Sequence, residues 1–105
     1  MNSDTIKRTR EWADKLVANA VNLECGGQLT QEAAKEKWAE AAIVFLKLVE
    51  LTTPLMDTGK SARKSAVVAT LKSSGKAKAS KLLADLIAKG DISPSLCEEM
   101  IEKIR

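Results

Sequence analysis

Four consecutive residues, Thr58-Gly59-Lys60-Ser61, match the tail of a phosphate-cradling loop, in which backbone amides and a lysine hold a nucleotide's phosphates and a hydroxyl meets its Mg2+. The full pattern needs a second glycine five residues ahead of Gly59, and that position is Pro54. It also needs a preceding strand, whereas the residues before Pro54 repeat with helical period. Gly59 therefore reads as a turn residue, and nucleotide binding is not expected.

The rest of the chemical inventory is thin. The chain has no histidine and no tyrosine, so the commonest general base and the commonest metal ligand are both missing. Its carboxylates lie along helix surfaces at ion-pair spacing, and none is embedded in an apolar run where burial would raise its pKa. Cys25 and Cys97 are 72 positions apart with no Cys or His beside either, which predicts reduced thiols and no metal site. Cys97 falls on an apolar face and is expected in the core; Cys25, next to Gly26, is expected to be partly exposed. These features predict a protein that is not an enzyme and carries no cofactor.

A charge block stands out instead. Lys60, Arg63, Lys64, Lys72, Lys76, Lys78 and Lys81 follow one another with no acid among them. The chain has 17 basic and 14 acidic residues, so without these seven the remainder is 10 against 14 and net negative. Such a strip can meet an acidic protein surface or track a phosphate backbone, with affinity falling as salt rises. Base reading by a helix-turn-helix fits poorly: a turn at Gly75 puts Lys76 and Lys81 where apolar residues belong, and a turn at Gly90 makes the last helix, with Glu98, Glu99 and Glu102, face the nucleic acid. Phosphate contact without sequence reading is the nucleic-acid alternative.

The elements that must carry this strip are helical. Only three residues are aromatic, so Leu, Val, Ile and Ala must build the core. Ile6, Trp12, Ala13, Leu16, Val17, Ala20 and Leu23 recur at helical steps, predicting a first helix over residues 4–25 with Ser3 or Asp4 as N-cap and ion pairs Lys7–Glu11, Glu11–Lys15 and Arg10–Asp14 outside. Gly26-Gly27 ends it. A second helix over residues 31–52 is capped by Thr30, with Leu29 placed to staple onto Ala34. It is apolar over most of its circumference, and Ile43 interrupts the narrow polar stripe of Glu36, Glu40, Lys47 and Glu50.

Pro54 stops that helix, and Asp57-Thr58-Gly59 is expected to turn the chain into a third helix over residues 61–73. Ser73-Ser74-Gly75 and then Lys89-Gly90 bracket a fourth over residues 76–89. Ser93 with Pro94 at the first helical position opens a fifth over residues 94–104.

The reading is a single all-α domain spanning residues 1–105, in which a long antiparallel hairpin of the first two helices is covered by three shorter ones. A polar start without an apolar leader and no apolar run long enough to span a bilayer predict a cytoplasmic protein with no membrane partner. The expected function is non-catalytic binding of a larger acidic protein through the basic strip. Ile43, exposed on the greasiest helix, is expected to drive self-association as a homodimer.

Overall fold

The computed structural model describes residues 2–105 and is helical almost throughout. Helices α1 (Asn2–Glu24), α2 (Gln31–Leu51), α3 (Asp57–Ser74), α4 (Lys76–Ala88) and α5 (Pro94–Ile104) follow in order, with a short 3-10 turn at Gln28–Thr30. The all-α bundle expected from the periodicity is what forms. At the α1–α2, α3–α4 and α4–α5 junctions the chain turns because glycines occupy backbone conformations that side-chain-bearing residues avoid, whereas the α2–α3 connection holds Pro54. Gly27, Gly75 and Gly90 have φ of 84°, 90° and 66°. Gly75 alone separates α3 from α4.

α1 and α2 pack along their length, α3 lies against α2, and α4 and α5 join the bundle through α3 and each other. Among the described residues, half of the 18 buried apolar ones are alanines, including Ala13, Ala20, Ala41, Ala62, Ala66 and Ala79. Small residues at contacts bring helix axes close, and larger side chains fill the space between. Trp38, Phe45 and Leu48 of α2, Val67 of α3, Leu83 and Leu86 of α4 and Met100 of α5 do this. The outline is a slab, 40 × 35 × 16 Å between Cα extremes. A slab so thin leaves part of α2 without a covering layer.

Several local expectations change. α1 begins at Asn2, so Ser3 and Asp4 lie inside its first turn. The three ion pairs expected outside α1 are not within contact distance; Asp4–Arg8, at 3.8 Å, is the pair that forms there among the described residues. Thr30 precedes α2, but its hydroxyl does not accept from the helix; it donates to Leu23 O and Gly27 O, fastening α2's start to α1's end. Leu29 is 99% exposed and staples nothing, because the 3-10 turn swings it outward, while Ala34 is buried without it. Asp57, Thr58 and Gly59 form the first turn of α3, not a loop. Ser93 caps α5 as expected, its Oγ accepting from Leu96 N at 3.4 Å.

Candidate partner-binding surface

The basic strip does not survive folding as one surface. Arg63, expected on it, is 1% exposed and is the largest fully buried side chain. The correction follows from helical phase. Gly59, Ala62, Ala66 and Val67 are all buried on α3, and Arg63 stands three and four residues from the last two, on the same stripe. A buried guanidinium must satisfy five N–H donors, and this one does. Nε donates to Asp91 O at 2.6 Å; Nη1 donates to Gly59 O at 2.9 Å and Thr52 Oγ1 at 3.2 Å. Nη2 donates to Asp91 Oδ1 at 2.8 Å, Thr52 O at 3.2 Å and Val49 O at 3.3 Å.

Arg63 therefore sits at the C-terminus of α2, where the helix dipole favours a cation and the last carbonyls lack helical partners. Thr52 links the two, its hydroxyl donating to Leu48 O at 2.8 Å while accepting from Arg63. Gly59 is part of the same knot. A Cβ there would collide with Thr53 O and come within 3.0 Å of Arg63 Nη1, so the backbone at Gly59 approaches the α2–α3 turn as no other residue could. This close approach also accounts for the nucleotide-loop resemblance of Thr58-Gly59-Lys60-Ser61: the glycine serves packing.

Of the six lysines, two are occupied by acids. Lys64 Nζ lies 2.7 Å from Glu99 of α5. Lys72 Nζ lies 3.5 Å from Glu24 of α1 and 5.1 Å over the Trp38 ring, whose Nε1 donates to the same Glu24 carboxylate at 3.1 Å. Lys76 donates to Arg105 O at 3.0 Å. Lys60, Lys78 and Lys81 are exposed and have no ion-pair partner among the described residues. They are not together. Lys60 stands near the start of α3, 14 residues and about 21 Å of helix from Ser74 at its end, where Lys76 follows across the Gly75 break. Lys78 and Lys81 are neighbours on α4, three residues apart, and share that stripe with Asp85 and with Lys89 at the helix end.

On another face of α4 runs an apolar groove of about 340 Å³, walled by Leu83, Ala84 and Ile87 of α4 and by Ile101 and Ile104 of α5, with Ser80 and Arg105 at its edge. Ile87 is 47% and Ile101 40% exposed, both within the groove. Lys76, one helical turn before Ser80, stands at its end beside Arg105, and Lys81, one turn before Ala84, stands on its α4 side; the α5 flank carries Glu98 and Glu102, the latter paired with Arg105 at 3.3 Å. No local sequence signal marks the groove, since Ile87 and Ile101 belong to ordinary amphipathic stripes whose outer members only the α4–α5 packing leaves bare.

A second apolar surface lies between α1 and α2. Ile43 is 60% exposed, as its place on the polar stripe predicts, and Trp12 of α1 is 52% exposed beside it. With Leu16 and Val44 they line a groove of about 430 Å³ edged by Lys37 and Glu40. Lys47 Nζ lies 5.9 Å from the Trp12 ring centre, and Lys37 pairs with Glu40 at 3.1 Å.

Both thiols are free; Cys25 is exposed, and Cys97 is half-buried rather than in the core, because α5 packs through Leu96, Met100 and Ile104. Among the described residues no group of three acidic, Cys or His side chains is arranged to hold a metal ion, and no helix is long and apolar enough to cross a membrane. Comparisons with protein-family models, with curated proteins and with solved structures find no match to this chain.

Proposed function

We propose that the protein is a non-catalytic binding module whose α4–α5 end receives an acidic amphipathic helix of a larger protein. The observation that carries this reading is the pairing of Ile87 and Ile101, about half exposed, in one groove next to lysines that no acid neutralises. Apolar anchors at helical spacing enter such a groove and supply affinity, while flanking charge selects the partner and its direction. Lys76 and Lys81 lie on the α4 side, and Glu98 and Glu102 on the α5 side. The incoming helix is therefore acidic along the edge that meets α4.

Synthetic helical peptides with the same apolar spacing and either Glu or Lys flanks test this by fluorescence anisotropy. The Glu-flanked peptide should bind, weaken as salt rises, and lose most of its affinity to Lys76→Glu/Lys81→Glu and to Ile87→Ser. Equal binding of both peptides overturns the charge argument. A response only to duplex or single-stranded nucleic acid replaces the reading with the phosphate-tracking alternative, for which Lys60, Lys64, Lys72, Lys76, Lys78 and Lys81 would all have to contribute.

A further inference from the structure

α1 and α3 pack on α2 rather than on one another, and where they stand apart a cleft of about 250 Å³ remains over α2. Trp38 and Phe45 of α2, about 10 Å apart along the helix, form its floor. Val17 of α1 and Val68 of α3, both half-buried, are its walls. Two of the chain's three aromatic side chains thus line one cleft.

The two ends of the cleft differ. At the Trp38 end the polar groups are already matched, since Trp38 Nε1 and Lys72 both hold the Glu24 carboxylate and Lys72 lies over the indole ring. α3 runs antiparallel to α2: Arg63 near its start reaches Val49 O, and Lys72 near its end reaches Trp38. Lys64, about 12 Å before Lys72 on α3, therefore stands at the Phe45 end, where Ser65 and Lys103 of α5 also line the cleft. Lys64 pairs with Glu99, whereas Lys103, one turn beyond Glu99 on α5, has no ion-pair partner among the described residues. Two lysines against one glutamate leave this end with one positive charge.

We propose that the cleft binds the anion of a straight-chain aliphatic carboxylic acid, its tail along Trp38 and Phe45 and its carboxylate between Lys103 and Ser65. The tail is apolar because the floor offers it no polar partner, the indole N–H being taken by Glu24. The head is anionic because it gives Lys103 the partner that Glu99 gives Lys64, and the four charges then sum to zero. A second polar end has nothing to meet at Trp38, where Lys72 and Glu24 already cancel. The volume lies below the ~300–1,000 Å³ of pockets for drug-sized molecules, so the ligand is small and carries one tail. The cleft shares no lining residue with the α4–α5 groove, so each proposal stands or fails without the other.

The test uses the full chain with Trp12→Phe, which leaves Trp38 as its one tryptophan. Octanoate, kept below the concentration at which it forms micelles, should change Trp38 emission saturably and bind one per chain by calorimetry. Each methylene removed, down to butanoate, should weaken binding about fourfold. Octyltrimethylammonium should bind at least tenfold more weakly than octanoate. Lys103→Glu should weaken octanoate tenfold or more and leave octanol unchanged, whereas Lys103→Arg should retain octanoate. Circular dichroism should be the same for both variants, since Lys103 is exposed. An unchanged Trp38 emission, uptake that does not saturate, equal binding of the two octyl ions, or a Lys103→Glu chain that binds octanoate as tightly as before overturns the proposal.

Discussion

Arg63 grips Asp91 at two points, Nε to the main-chain carbonyl at 2.6 Å and Nη2 to the carboxylate at 2.8 Å, and so ties α3 to the α4–α5 connection 28 residues away. Its other donors close the end of α2. Three parts of the chain thus converge on one buried cation, whose desolvation is offset only while every acceptor is present.

Replacing Arg63 by Ala should therefore destabilise the fold by about 3–5 kcal/mol, the range for breaking a buried ionic network. That is a large share of the ~5–15 kcal/mol available to a domain. Arg63→Lys should recover little, because an ammonium has neither the planar fork nor the reach to serve Asp91, Thr52 and Gly59 together. Urea denaturation of both variants checks this; a loss below about 1 kcal/mol for Arg63→Ala would remove the network from its central place.

Gly59→Ala should cost about 2–4 kcal/mol although Gly59 is helical, where alanine ordinarily gains stability by about 0.5–1 kcal/mol. The sign is reversed because the new Cβ meets the Thr53 carbonyl. The same substitution should leave the exposed thiol and the groove on α4 and α5 untouched in the folded fraction. Thermal melting reads the difference.

Trp38 Nε1 and Lys72 share the Glu24 carboxylate. Glu24→Leu removes the acceptor from an indole whose ring is 5% exposed, and should cost about 1–3 kcal/mol. Glu24→Gln keeps an acceptor for the indole and loses only the partly exposed ion pair, so its cost should stay within about 1 kcal/mol. Stability curves followed by Trp38 fluorescence in a Trp12→Phe background separate the two.

Cys25 should react with an aromatic disulfide reagent well before Cys97, since only the first is exposed. With both thiols free, melting temperature should be the same with and without reductant. Cys25→Ser should change stability by no more than about 0.5 kcal/mol.

The sequence by itself determined that this chain makes helices and where most of them break. Ser93-Pro94, Gly75, Gly90 and Gly27 act through their own backbone preferences, so α5 begins and ends at the expected residues and the neighbouring junctions fall within a few positions. Ile43's exposure was legible for the same reason, because one helical period fixes its place among Glu40 and Lys47. What the charges do was decided only by tertiary structure. Counting cations along α3 treats Arg63 and Lys64 alike, yet they stand a hundred degrees apart on the helix. The phase of Ala62, Ala66 and Val67 turns the first inward, where Val49, Thr52 and Asp91 from other segments happen to supply acceptors, and leaves the second at the surface beside Glu99. Propensity and capping are properties of a few adjacent residues, whereas the fate of a buried charge depends on groups that only the packing of distant helices brings within reach.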